Sequence, residues 1–186
     1  MSKRRKKVLM IIAAFLIAVI IIAGAYLYCK YKYPLKYETL IEEYSQEFSL
    51  DPYLVATVVW AESRFNPAAV SGSGAIGLMQ IMPETGKWIA GKLGVKDYTS
   101  DLLYTAGINI QFGCWYLSYL ENKFDGDMIK ILAGYNAGPN KVEQWEEEWG
   151  EEYSPIWEDI PYEETKNYVK KIQSAEKIYK ILYDIG

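Results

Sequence analysis

The chain offers few side chains that can do chemistry at neutral pH. It contains no histidine, which excludes Ser-His-Asp and Cys-His arrangements and the usual imidazole ligands of zinc. Cys29 and Cys114 lie far apart without CxxC spacing, so we interpret both as packing residues. We therefore expect no metal ion and no cofactor. Carboxylates and hydroxyls must carry any reaction.

Glu62 has the most unusual predicted position among the carboxylates. Asp51 followed by proline predicts the start of a helix that runs through about Phe65. Glu62 follows Val58 by four residues and Val55 by seven, which places it on their apolar face in the last turn. Burial and the negative end of the helix dipole should both raise its pKa, as a general acid requires. The alternative is a glutamate at the edge of that face that hydrogen-bonds to a loop.

Five short motifs follow one another around and after this glutamate. They are Ala61-Glu62-Ser63, Gly77-Leu78-Met79-Gln80 continuing as Ile81-Met82-Pro83-Glu84-Thr85, Asn109-Ile110 with Gly113 and Tyr116-Leu117, Ala133-Gly134-Tyr135-Asn136-Ala137-Gly138, and Ile160-Pro161 through Glu164-Thr165 to Tyr168. A turn or a helix C-cap explains some of them singly. In this order, over about residues 38 to 182, they resemble the lytic transglycosylases with a soluble-lytic-transglycosylase domain. Gly134 departs from the family's usual alanine, and both residues are small.

The resemblance implies a fold, a substrate and residue roles. The fold would be a mainly α, lysozyme-like domain, and the substrate would be the glycan strand of peptidoglycan. Glu62 would be the single catalytic acid and base, Ser63 would orient it, and Tyr135 would hydrogen-bond near it. Sugar binding would fall to Gln80, Met82, Asn136 and Tyr168. The implied reaction cleaves the bond between N-acetylmuramic acid and N-acetylglucosamine and leaves 1,6-anhydromuramic ends.

Other functions remain open at this stage. A muramidase would hydrolyse the same bond with water and would need a second carboxylate. The next acids are Glu84, Asp97 and Asp101, and capping of a helix N-terminus explains the last of them. A catalytically inactive peptidoglycan-binding module would keep the groove without needing a titratable group at position 62. Membrane attachment alone explains none of the motifs.

The N-terminal segment predicts a membrane anchor. Five basic residues in positions 3 to 7 precede 22 uncharged residues, Val8 to Cys29, which as a helix would span about 33 Å. The positive-inside rule places residues 1–7 in the cytoplasm and the remainder outside the membrane. Residues 30–37 would form a juxtamembrane linker, and residues 38–186 the catalytic domain. A signal peptide cleaved after Ala25 is the alternative.

Charge and aromatic content narrow the choice of partners. The chain carries a net charge of −4, and without the five N-terminal basic residues the remainder carries −9. An acidic body argues against nucleic acid, which needs a basic surface. The chain has 6 Trp and 17 Tyr, of which some can stack on sugar faces while most belong to the core or an interface.

The remaining pattern predicts six or seven helices. A first helix covers residues 36–48, and residues 66–77 are rich in Gly, Ser and Pro and form a loop, with at most a short β-hairpin. Pro83 begins a short helix, a long one follows Asp101, and Asp127 caps the next. Two amphipathic segments follow to the C-terminus. Gly113, on the apolar face of the long helix, should let another helix approach closely.

Overall fold

The computed structural model describes residues 3–150 and 155–186. Its contacts divide the chain into two units, Met1–Pro34 and Leu35–Gly186. The first unit contains helix α1 (Lys3–Lys32). The side chains of residues 4–28 are all exposed, and the segment Arg4–Lys32 is long and apolar enough to cross a membrane. A helix that is apolar on every side is normally covered by protein or by lipid. The exposed apolar side chains of α1 therefore fit a lipid environment.

The second unit is built from helices. Its described part contains α2 (Glu38–Glu47), α3 (Pro52–Ser63), α4 (Pro83–Leu93), α5 (Ala106–Lys123), α6 (Met128–Ala137), α7 (Pro139–Trp149) and α8 (Glu163–Leu182), with short 3-10 helices at Ser100–Tyr104 and Trp157–Asp159. Among the described residues there is no strand, and isolated bridges join Ile76 to Val70 and to Ile81. The mainly α prediction is confirmed, and in place of a regular hairpin these bridges join the loop at residues 66–77 to itself and to Ile81.

Helix α3 is the central helix of this unit. Asp51 caps it by accepting a 2.8 Å hydrogen bond from the Tyr53 N–H, as its sequence predicts. Every side chain from Leu54 to Trp60 is buried, and α3 packs against α2 and α8. Because α3 is covered on all sides over this stretch, its buried side chains do not form a single face, and Glu62 lies beyond the stretch in a last turn that is half-buried. The sequence predicted one apolar face that includes Val55 and Val58, whereas the structure buries this part of α3 on every side.

One buried asparagine holds the loop segment 76–79 against α5. Asn109 accepts a 2.7 Å hydrogen bond from the Met79 N–H, and its amide donates to the carbonyl oxygens of Ile76 (2.9 Å) and Leu103 (2.7 Å). The residue is fully buried, so these bonds compensate for the desolvation of its amide. Asn109 therefore fixes the loop that carries the second motif.

Two glycines make this close contact sterically possible. Gly77 has φ +84°, and a Cβ there would overlap with the Asn109 amide and the Leu103 carbonyl oxygen. At Gly113 a Cβ would overlap with the Met79 side chain. The prediction that Gly113 admits another helix is therefore wrong, because the space is filled by a side chain of the loop.

The predicted capping role of Asp101 is also wrong. Asp101 lies inside the 3-10 helix Ser100–Tyr104, and Thr105 occupies the N-cap position of α5 without a side-chain cap. Asp127 does cap α6, accepting from the N–H groups of Ile129 and Lys130. The chain therefore forms a short 3-10 helix before α5, which its apolar periodicity does not indicate.

Candidate active site

Glu62 lies in the last turn of α3 and is half-buried. Its Oε1 accepts a 2.7 Å hydrogen bond from the hydroxyl of Tyr168 on α8. The bond therefore links the carboxylate to a second helix and not to a loop. A carboxylate that accepts a hydrogen bond from a fixed, buried hydroxyl is held in one orientation.

Burial controls the protonation of this carboxylate. It raises the pKa of Glu62 from 4.5 to about 7, against smaller lowering effects from the Tyr168 hydrogen bond and the charge of Lys171. The predicted rise therefore has burial as its cause. A carboxyl group with a pKa near 7 is populated in both forms at neutral pH, so it can give up a proton in one step and accept one in the next.

A lysine sits at the C-terminal end of α3 beside Glu62. Lys171 Nζ donates a 2.7 Å hydrogen bond to the Ala61 carbonyl oxygen, one of those that a helix end leaves without an intrahelical partner. Lys171 Nζ lies 5.1 Å, and the Arg64 guanidinium 4.3 Å, from the ring centroid of Trp60. Burial and the charge of Arg64 lower the pKa of Lys171, while the charge of Glu62 raises it.

Four of the sequence-predicted site residues line one cleft of about 250 Å³. They are Gln80, Met82, Tyr135 and Asn136, and the other lining residues are Ile81, Thr85, Tyr116, Ala137 and Gly138. Met82 is 40% exposed and can be reached from solvent. The amide of Gln80 donates to the carbonyl oxygens of Gly77 and Ala69, so this side chain also closes its own loop.

Tyr135 connects this cleft electrostatically to Glu62. Burial, followed by the charge of Glu62, raises the pKa of Tyr135 well above its usual value, as it does for Tyr168. Both phenols are therefore neutral hydroxyls near the carboxylate.

The three hydroxyl residues of the predicted site have other partners than expected. The Ser63 hydroxyl donates to the carbonyl oxygen of Leu78 at 2.7 Å and to that of Val59 at 3.2 Å. It makes no hydrogen bond with Glu62. Tyr135 donates to the Met79 carbonyl oxygen at 2.8 Å. Tyr168 is the residue that contacts Glu62. Ser63 and Tyr135 thus fasten α3 and α6 to the loop segment 78–79.

A second cleft of about 530 Å³ adjoins the first and shares Asn136 and Ala137 with it. Its other lining residues are Lys141, Pro161, Tyr162, Glu163, Glu164 and Thr165. The hydroxyl of Thr165 donates a 2.8 Å hydrogen bond to Asn136 Oδ1, which fixes the amide between the two clefts. We call the two clefts together the groove, and Asn136 lines both of them.

Sequence reasoning missed two residues of this site. Lys171 lies one helical turn after Tyr168, so spacing along α8 was the signal that could have identified it. Thr165 lies one turn before Tyr168, and its side chain is 2% exposed. A buried threonine on the apolar face of an otherwise charged helix indicates a specific hydrogen-bond partner.

Known proteins resemble this chain in sequence and in structure. The soluble lytic murein transglycosylase of Escherichia coli K12 is 32% identical over 152 residues, which are 80% of this chain and 24% of that protein. The membrane-bound lytic murein transglycosylase C of Serratia proteamaculans is 28% identical, with 78% and 47% covered. The solved structure of an inactive glutamate-to-glutamine mutant of the lytic transglycosylase Slt from Pseudomonas aeruginosa is similar with a TM-score of 0.72 and 29% identity, covering 81% and 25%.

These relatives support the predicted lysozyme-like fold class. The chain spans about a quarter of the length of the soluble relative, so the likeness concerns one part of that protein. Residues 39–155 match the family described as the transglycosylase SLT domain. The chain therefore belongs to the transglycosylase SLT domain family.

Proposed function

We propose that this protein is a peptidoglycan lytic transglycosylase with Glu62 as its acid and base. The observation that carries this proposal is a half-buried carboxyl group with its pKa raised to about 7, held by Tyr168 and near enough to the cleft residue Tyr135 for its charge to raise the pKa of that phenol. Gln80, Met82 and Asn136 present amides and a thioether along the groove. Such a surface suits a neutral, hydroxyl-rich chain such as a glycan strand.

In the first step Glu62 acts as an acid. Its proton passes to the glycosidic oxygen between N-acetylmuramic acid and N-acetylglucosamine as the C1–O bond breaks. The muramic N-acetyl group supports the electron-poor C1, and Tyr168 retains its hydrogen bond to the carboxylate that forms. Burial disfavours the charged carboxylate in the free enzyme, which keeps a large fraction of Glu62 protonated near neutral pH and so able to donate.

In the second step Glu62 acts as a base. It removes the proton of the muramic C6 hydroxyl while the C6 oxygen forms a bond to C1. The products are a free N-acetylglucosamine 4-hydroxyl and a 1,6-anhydromuramic end, and Glu62 is protonated again. No water is consumed. An intramolecular hydroxyl has a very high effective molarity, so no second carboxylate is needed to activate a nucleophile.

The positions of the other carboxylates favour this mechanism over hydrolysis. Glu84, Asp97 and Asp101 are all exposed, and none of them is among the charges that act on Tyr135 and Tyr168, as Glu62 is. Among the described residues, the acids that line the two clefts are Glu163 and Glu164, both in the second cleft. They are the first residues to test if hydrolysis is found.

An inactive binding module would not require the arrangement around Glu62. A buried carboxyl group with a raised pKa is destabilising in its charged form, whereas glutamine would bind a sugar without that penalty. Retention of Glu62 together with Tyr135 and Asn136 therefore supports an enzyme.

We further propose that α1 anchors the enzyme in a membrane. Its five basic residues in positions 3–7 would remain in the cytoplasm, and residues 38–186 would act on the cell-wall side. This placement would keep the groove next to the cell wall, where its substrate lies. The segments 1–7, 8–29 and 30–37 would then be tail, transmembrane helix and linker.

Digestion of purified peptidoglycan by the full chain in detergent tests the reaction. Mass spectrometry should find anhydromuramic ends, which are lighter than hydrated ends by one water, about 18 Da, and carry no reducing group. Fragments with only reducible, hydrated ends would establish a muramidase. Absence of any cleavage, with glycan binding retained, would establish the binding module.

A further inference from the structure

Five aromatic rings form a continuous surface from the cleft outward over helices α4 and α5. We call this set the aromatic row, and its members are Tyr135, Tyr116, Tyr119, Trp115 and Trp88. Tyr135 and Tyr116, whose centroids lie 5.4 Å apart, are at the cleft end. The remaining three rings are outside the cleft lining and have no role in the proposed reaction.

The rings of the row are packed in a regular way. Tyr116 and Tyr119 are stacked at 6.1 Å between centroids, and Tyr119 stacks on Trp115 at 5.7 Å with an interplanar angle of 4°. Trp88 meets Tyr119 and Trp115 edge to face at 5.0 Å each. Such pairs fix one another's orientation, so the row is a preformed surface.

The row continues the cleft along two neighbouring helices. On α4, Thr85 lines the cleft and Trp88 lies one helical turn further on. On α5, Tyr116 lines the cleft and Tyr119 lies one turn further on. One turn advances about 5.4 Å along a helix. Trp88 and Tyr119 therefore lie at a similar distance past the cleft-lining residues of their helices.

The aromatic row is accessible to solvent, most of all at Trp88. Trp88 is 38% exposed, and Trp115, Tyr116 and Tyr119 are each half-buried. Apolar surface that is contiguous and reaches solvent marks a binding site more often than isolated apolar side chains do. The charge of −9 outside the N-terminal tail disfavours a single-stranded nucleic acid, which pairs aromatic stacking with a basic groove.

We propose that the aromatic row binds the same glycan strand beyond the cleft lining, with Trp88 as its most exposed sugar contact. This inference depends on the proposed function. A pyranose ring has a face of C–H groups with slight positive charge, which the negative π-face of an aromatic ring attracts while apolar surface is buried. The row would therefore add affinity that increases with the length of the strand.

Binding of glycan fragments of defined length tests this proposal without depending on cleavage. The full chain in detergent, carrying Glu62→Gln to prevent turnover, is titrated with peptidoglycan-derived disaccharide and octasaccharide by calorimetry. Adding Trp88→Ala should weaken octasaccharide binding about tenfold, which corresponds to about 1.4 kcal/mol. Disaccharide binding should change less than twofold, and Trp88→Phe should restore most of the loss. The matched control is Tyr104→Ala, because Tyr104 is comparably exposed (42%) and lies outside the row.

Equal octasaccharide affinity with and without Trp88→Ala would overturn the proposal while leaving the reaction itself standing. If Trp88→Ala fails to fold, NMR of the indole N–H resonances in the Glu62→Gln chain, which keeps Trp88, provides the test instead. Octasaccharide should shift the Trp88 resonance, assigned through Trp88→Phe, and disaccharide should not. A Trp88 resonance that responds to lipid composition and not to glycan would overturn the proposal in favour of a membrane contact. Failure of the wild-type chain to cleave peptidoglycan, with these binding results intact, would reject the reaction and not the aromatic surface.

Discussion

The hydroxyl of Tyr168 donates a 2.7 Å hydrogen bond to Oε1 of Glu62 across 106 positions of sequence. It joins the central helix α3 to the last helix α8 at the proposed catalytic atom. Tyr168 is 8% exposed, so it is better placed to position the carboxylate than to contact sugar. We therefore propose it as a positioning residue.

Tyr168→Phe should raise the pKa of Glu62 above about 7, because the hydrogen bond that it removes lowers that pKa. The alkaline limb of kcat/KM, which reports loss of the proton from the acid, should move to higher pH. Tyr135→Phe is the matched control, since the Tyr135 hydroxyl donates to the Met79 carbonyl oxygen. It should leave the position of that limb unchanged. An unchanged limb in Tyr168→Phe would remove Tyr168 from this role.

Glu62→Gln should lower activity by about two to four orders of magnitude, the usual contribution of a general acid. It should also change the pH dependence of stability. Wild-type Glu62 binds its proton more tightly in the folded state, with a pKa of about 7 against 4.5, so stability falls as pH rises between these values.

The difference corresponds to about 3 kcal/mol, and Glu62→Gln should show none of this decline. Thermal unfolding of both proteins at pH 4 and pH 8 measures it, with the variant the more stable at pH 8. Parallel pH dependence in the two proteins would mean that Glu62 is not buried as described.

Lys171→Met should raise the pKa of Glu62, because the positive charge of Lys171 lowers it. The alkaline limb should again move upward, and added salt should weaken the effect of Lys171 in the wild type. Lys171→Arg should retain the wild-type limb. The control is Lys170→Met, since Lys170 is exposed and lies over the Trp157 ring at 4.4 Å. Equal profiles for Lys170→Met and Lys171→Met would count against an electrostatic role.

Asn109→Ala should lower the free energy of unfolding by about 2 to 4 kcal/mol, because it removes the partner of the buried Met79 N–H and of the Leu103 carbonyl oxygen, and one of the two donors to the Ile76 carbonyl oxygen. Activity should fall as well, since the loop carrying Gln80 would lose its attachment to α5. Asn122→Ala is a control on the same helix. Its exposed amide donates locally to the Ser118 carbonyl oxygen, and its removal should cost less than about 0.5 kcal/mol. Chemical denaturation compares the two.

The anchor proposal predicts that the protein remains in the membrane fraction after an alkaline carbonate wash. Its physical reason is the uncharged run Val8–Cys29, whose side chains are exposed along α1 as far as residue 28. Immunoblotting of the washed membranes measures the retained fraction, and a chain that begins after residue 29 provides the soluble control. Recovery of a soluble form that begins at Tyr26 would instead establish cleavage after Ala25.

The sequence alone determined the helical class, the cap at Asp51 and the placement of Glu62 in the last turn of α3. These follow from interactions within a few residues, such as capping and apolar periodicity, which a sequence displays directly. The five motifs pointed to the family that the comparisons confirm. Gln80, Met82, Tyr135 and Asn136 were also identified, and all of them line one cleft.

Only the tertiary structure decided which hydroxyl meets the carboxylate. Tyr168 contacts Glu62, whereas Ser63 and Tyr135 bind carbonyl oxygens of the loop. A motif shows that a tyrosine is present, but its partner depends on how helices distant in sequence pack. The same holds for Lys171, whose charge reaches Glu62 only because α8 packs against the end of α3. Contacts between distant helices set these distances, and no local pattern records them.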